Sequence, residues 1–409
     1  MANSSSMPED YVPFTMWRNS DASLAAILQT ARQSFKHELL VDNFAGIPIL
    51  QQHGSDDDNV PPYHSRLMHD LISQHGWSSQ YNELPGKGHW FEGVLTTDPL
   101  TEFYHDRVSQ SNGRDTLPED FSIAIPPSGD MGSRGGIIVD QLHSPDRFGH
   151  IKVIRDVKER IWRINTRNIR RFHFDLSAMR SAPPLEITID NSNRTFKVPN
   201  DPTWYIRGEE GEWTMTFDWT WKNLSSRRGR QLGADAILRT VGPLVVTTTP
   251  HDAQEVNNVA LQICQNVFQY FSADCSLYPM MAAEESGNVI SVALGESLEP
   301  PVLDTYPLKI EEGYLLIDTQ RTRQQYKFEA GLGAIFLRPL EDERLELVVW
   351  GFDQTGLQQA ARLIPMLTGV GQPDFVVVSS RCSWDGQGGV YAAGFFDHSW
   401  QISSGSYIS

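Results

Sequence analysis

The chain has little cysteine, few basic residues for its acids, and no long apolar run, and each shortage removes a class of protein. Three cysteines in 409 residues cannot all pair with one another, so no disulfide framework organises the fold. Lys and Arg together number 34 against 51 Asp and Glu, a formal net charge of −17. That balance excludes a general affinity for nucleic acid or for an anionic membrane surface. No stretch approaches the 18 or more apolar residues of a membrane span. The first residues, MANSSSMPEDYVPF, lack the basic start and apolar core of a signal peptide, although a longer secreted parent stays open. Four histidines, His64, His69, His75 and His89, have none of the i, i+4 spacing of helical zinc ligands, so no metal is expected. Gly369-Val-Gly371 lacks the third glycine and the leading strand of a dinucleotide fingerprint, and no cofactor is expected either.

What is present is an ordinary globular composition, 40% hydrophobic and 21% charged, over a length that accommodates two or three cores. Three regions differ in pattern. In residues 1–112, an apolar strand at Ile47 to Leu50 leads into His-Gly and a cluster of acids. A helical spacing follows from Tyr63 to His75, with Leu67, Leu71 and Ile72 on one face. A second strand ends at Leu84 in a glycine-rich turn that presents His89. A further helix is read at about 22–35. A polar, turn-rich stretch at 110–119 reads as a linker. Residues 118–232 hold short alternating runs, among them Ile161 to Ile164, Arg171 to Phe174, Leu185 to Ile189 and Trp213 to Phe217. That spacing predicts an antiparallel sheet or sandwich, with a hairpin turn at Asp190 to Asn193. Residues 233–409 alternate strands with helices at 253–271 and 355–367, ending in a buried strand over 374–379, and read as an α/β unit. The fold class expected is therefore α/β plus β: a partial α/β sheet, an antiparallel β domain, then a second α/β unit.

The chemistry concentrates in the first region. HGSDDDNVPPYHSR followed by YNELPGKGHWF sets an acid and a histidine on loops at the ends of successive strands. Open α/β sheets place their sites there. A carboxylate can hold an imidazole in one tautomer, and that imidazole can take a proton from a hydroxyl nucleophile. These two motifs resemble the end of the catalytic domain in the prolyl oligopeptidase family of serine peptidases, and the resemblance covers about a quarter of the chain. It implies an α/β-hydrolase fold, Asp57 as the catalytic acid rather than Asp56 or Asp58, and His89 as the catalytic base. The remainder resembles the C-terminal region of large, mainly fungal, members. The family's Gly-x-Ser-x-Gly elbow would precede these residues and is not in this sequence. The expectation is a C-terminal portion of a peptidase, inactive alone, whose parent takes a peptide substrate.

Other nucleophiles fit poorly. Ser133 follows Met131-Gly132 with no buried strand before it, and Ser297 has Glu299 where the elbow needs glycine. Cys264 sits in an apolar helical pattern and reads as a buried structural thiol, while Cys275 and Cys382 have no elbow. Eight basic residues over 151–175 read as a solvated strand face. Tryptophans 204, 213, 219 and 221 read as β-core packing rather than a ligand platform. The sequons at Asn193 and Asn223 read as chance occurrences. The competing function is a non-catalytic binding or structural module on the hydrolase scaffold. An open sheet edge near Ile47 would count against a stable short chain unless a homodimer covered it.

Overall fold

Period-two and period-3.6 apolar patterns sort the chain into strands and helices, and a computed structural model shows how they assemble. It describes residues 21–33, 36–110, 117–127, 133–179, 181–226, 228–229, 233–278, 286–364 and 372–409. The protein is mixed α/β, with many strands and few helices among the described residues.

Helix α1 (Ala22–Arg32) is capped by the Asp21 side chain, which accepts from the Ser23 N–H at 2.7 Å. Strand β1 (Ile49–Gly54) runs parallel to β2 (Ser79–Leu84), joined through helix α2 (Tyr63–Gln74). Helix α3 (Asp98–Gln110) follows. The strand expected from Ile47 is displaced and less buried than its composition suggests. Ile47 is 40% exposed and β1 is mostly half-buried, because these two strands form a sheet of their own with no third neighbour among the described residues. Helix α2 likewise buries Ile72, at 1% exposure, while Leu67 on the same expected face is 37% exposed. Among the described residues little is stacked against this half-sheet to cover a wider stripe.

The middle region is a two-sheet sandwich. One sheet has the order β3 (Asp120–Ile125), β5 (Gly149–Asp156), β6 (Ile161–Arg167), β8 (Glu186–Ile189), β9 (Thr195–Lys197). The other has β11 (Trp213–Thr216), β10 (Trp204–Arg207), β7 (Ile169–Phe174), β4 (Ile137–Leu142). All pairings are antiparallel except β6 with β8, which is parallel, so the expectation of a purely antiparallel domain is corrected at one place. Inward residues of both sheets, including Phe121, Ile151, Trp162, Phe172 and Tyr205, make one core. Asp190 and Asn191 at the β8–β9 hairpin take φ of 51° and 55°, the left-handed pair that a two-residue turn requires. Trp204, Trp213 and Trp221 are buried, but Trp219 is 62% exposed. Two of the basic residues read as solvated are also buried. Arg155 bonds the Leu117 carbonyl at 2.7 Å, and Arg171 stacks on Trp221 at 4.1 Å. Flat guanidinium groups pair with aromatic faces and carbonyls, so a basic residue need not lie on the solvated side.

The last region is built on an eight-stranded mixed sheet of order β13 (Cys275–Tyr278), β12 (Leu244–Thr249), β14 (Val289–Leu294), β19 (Leu345–Gly351), β18 (Gly333–Pro339), β20 (Phe375–Val378), β21 (Val390–Gly394), β22 (Tyr407–Ile408). The first four strands are parallel and the others antiparallel. A meander of β15 (Leu308–Glu311), β16 (Tyr314–Asp318) and β17 (Arg323–Lys327) stands beside it. Helix α4 (Gln254–Phe271) buries Val256, Val259, Ala260, Ile263 and Val267 against the sheet. Cys264, expected inside the core, is only half-buried at the edge of that stripe. Helix α5 (Gln354–Ala361) is shorter than the 355–367 expected; residues 365–371, with Gly369 and Gly371, lie outside the described residues, as does most of the 110–119 linker. The strand at 374–379 is not the last, since β21 and β22 follow it.

The regions are tied together by polar groups as well as by packing. Arg228 forms a buried bidentate pair with Asp374 and donates to the Phe396 carbonyl at 3.1 Å. Its own carbonyl accepts from Gln141 of β4 at 2.7 Å. Leu24, Ile27 and Ala31 of α1 enter the core of the C-terminal sheet, and α1 lies against β21 and β22.

Candidate functional site

Strands β1 and β2 run side by side, so their carboxyl ends bring two loops together. The register pairs Gly54 with Leu84. Beyond it the loops are stitched: Ser55 N–H donates to the Leu84 carbonyl at 3.0 Å, Asp56 N–H to Lys87 at 2.9 Å, and Gly86 N–H to the Ser55 hydroxyl at 2.8 Å. The approach is so close that a Cβ on Gly54 would lie 2.2 Å from the Lys87 carbonyl oxygen.

That contact sets Asp57 against His89. The Asp57 Oδ2 accepts from His89 Nδ1 at 2.9 Å, across 32 positions of sequence. Its Oδ1 accepts from the N–H groups of Asn59 and Val60 at 3.0 and 2.8 Å, an Asx turn that fixes the carboxylate plane. Asp57 is 8% exposed. Burial pushes its carboxyl up, but the Val60 N–H, the His89 hydrogen bond and the Asn59 N–H outweigh it and leave the group below the ordinary carboxylate value. With Oδ2 accepting from Nδ1–H, the Nε2 of His89 is left as the proton acceptor. His89 retains 24% side-chain exposure and packs edge-on against Trp90, itself 87% exposed.

A third residue joins them that sequence reasoning passed over. His53 Nε2 lies 3.2 Å from Asp57 Oδ2 and donates to the Val60 carbonyl at 2.8 Å. Its Nδ1 accepts from the Ser65 hydroxyl at 2.7 Å. His53 therefore braces the same carboxylate from the strand side, and its position four residues before Asp57 is the one available signal. Asp57, His53, His89, His64, Met68 and Phe91 line a surface cavity of about 310 Å³. Size alone does not select this place. A larger hollow of about 500 Å³ lies by His143, Thr319 to Thr322 and His398, without an oriented acid–histidine pair opening onto it.

The other candidates are elsewhere. Ser133 is exposed just before β4, with Met131 outside the described residues, and the Ser297 hydroxyl is spent on the Leu294 carbonyl at 2.5 Å. Among the described residues no serine or cysteine side chain is hydrogen-bonded to His89. His69 bonds the Ser79 hydroxyl and His75 the Leu71 carbonyl. Among the described residues no group of three or more His, Cys, Asp and Glu is placed to hold a metal. Nor is any described helix long and apolar enough to cross a membrane.

No family model matches the chain. It is 51% identical over 410 residues to an uncharacterized secreted protein of Arthroderma benhamiae. The alignment takes in 98% of this chain and 44% of that protein, so the chain spans less than half the length of the relative it matches.

Proposed function

We propose that this chain carries the acid and base of a serine-peptidase triad of the prolyl oligopeptidase type, and that another part of a longer secreted protein supplies the serine. The carrying observation is the 2.9 Å bond from His89 to a buried, twice-capped Asp57 at the ends of adjacent parallel strands. In this reading β1 and β2 are the last strands of an α/β-hydrolase sheet. Their incomplete burial and the exposed Trp90, Leu95, Tyr104 and Val108 are where the remainder of that sheet packs. A relative more than twice as long, described as secreted, supports both the missing part and export.

His89 would take the serine proton as it attacks the peptide carbonyl, then return it to the leaving amine. Asp57 would hold the tautomer and stabilise the imidazolium, with His53 steadying the carboxylate from behind. The test compares this chain with the full-length protein, using a fluorophosphonate that labels activated serines and a peptide substrate. Labelling of the full-length protein only, abolished by His89→Ala with its fold retained, is expected. An unlabelled, inert full-length protein would sink the reading and leave a non-catalytic module. Turnover unchanged by His89→Ala would reject the residue assignment.

A further inference from the structure

Helix α4 and the strand that follows it bring two half-buried cysteines together on one edge of the C-terminal sheet. Cys264 lies on the flank of the helix stripe formed by Ala260, Ile263 and Val267, seven residues before the end at Phe271. The helix stops at Ser272, which takes the left-handed conformation (φ 53°) and turns the chain back. Cys275 is the first residue of β13, paired with Leu244 of β12. Seven helical residues rise about 10 Å, and the three connecting positions 272–274 span about that distance in extended form. The return therefore brings Cys275 back level with Cys264. The two thiols lie close enough to shift one another's titration, the helix touches β13, and both cysteines pack against the same apolar core. Cys382 lies by α6 (Cys382–Asp385), on another part of the sheet.

We propose that Cys264 and Cys275 form an intrachain disulfide in the exported protein, a cross-link between α4 and the edge strand β13. The inference uses the export part of the functional reading and is independent of the peptidase part. The oxidant is a disulfide, either a small-molecule thiol dimer or an oxidoreductase of an oxidising compartment. The Cys264 thiolate attacks one sulfur of that disulfide and expels the first thiolate. The Cys275 thiolate then attacks the Cys264 sulfur, closing the bond and expelling the second. The two cysteine protons end on the two released thiols, and the two electrons reduce the oxidant. Each thiol acts on the other, which holds the Cys264 thiol below its ordinary value and pushes Cys275 up.

Among the described residues strand β13 is an edge strand paired with β12 alone, so the bond would tie that edge of the sheet to the helix beside it. The test is a thiol count on the full-length protein secreted from a eukaryotic host, denatured and alkylated without reductant, followed by peptide mapping. Of the chain's three cysteines, Cys382 alone is expected to be alkylated, with the peptides bearing Cys264 and Cys275 linked and about 2 Da regained on reduction. Cys264→Ser should expose Cys275 to alkylation, giving two labelled thiols. Three alkylated cysteines in the secreted protein, or a linkage through Cys382, would overturn the proposal. Because the count is made on denatured chains, it does not depend on peptidase activity.

Discussion

Two carboxyl groups of this chain are moved in opposite directions by their surroundings. Asp57 is held below the ordinary value by backbone N–H groups and His89. Its stabilising contribution is complete above the unfolded carboxylate value, 3.8, and is lost as pH falls through the lower folded value. Asp235 goes the other way, to about 7, because burial outweighs the pull of Arg239, and its Oδ1 carries no hydrogen bond. Here the folded state holds the proton more tightly than the unfolded chain. Stability is therefore fullest below 3.8 and declines as pH rises towards 7. Asp235→Asn should leave the unfolding free energy from urea titration nearly unchanged at pH 4 and raise it at pH 8, by an amount on the order of 4 kcal/mol. Equal changes at both pH values would contradict this. Asp57 was legible because motif and residue type coincide, whereas nothing in GADAIL marks Asp235 as buried.

At the scale of elements, the loops that carry Asp57 and His89 depend on how tightly β1 and β2 close. Gly54→Ala puts a methyl into the Lys87 carbonyl and must part the loops. We expect a loss of about 1–3 kcal/mol in thermal or urea unfolding, with the His89 Nδ1 proton lost from its hydrogen-bonded NMR position. Retention of both would show that the loops close by another route. The order of strand, acid loop, helix, strand and histidine loop was readable from turn chemistry and periodicity, as was the Asp190-Asn191 hairpin. Strand neighbours were not. β14 lies between β12 and β19, an order that the local pattern of these strands does not encode, and β21 was hidden because VYAAG is short and small. The position of Leu67 misled for a related reason: a helical stripe tells which residues share a face, but not how much of that face is covered.

At the scale of the molecule, the sandwich and the C-terminal sheet meet at a buried charge pair. Asp374 accepts from both Arg228 nitrogens and from the N–H groups of Gly233 and Phe396, and Arg228 also packs over Trp400 at 4.9 Å. Asp374→Ala leaves that guanidinium buried without its anion. It should cost about 3–5 kcal/mol in urea unfolding, whereas replacing both residues with apolar ones should cost less. A double variant as unstable as the single would refute a charge-based joint. The attachment of α1 carries a different consequence, one for the order in which the protein is made. Leu24 and Ile27 are made well before the strands they rest on, β21 and β22. Until those strands emerge, that helix has an apolar stripe and no seat. The core of the C-terminal sheet closes around it only once β21 and β22 are made, so pauses in translating the stretch between helix and strands prolong a state in which the helix is open to chaperones and to aggregation.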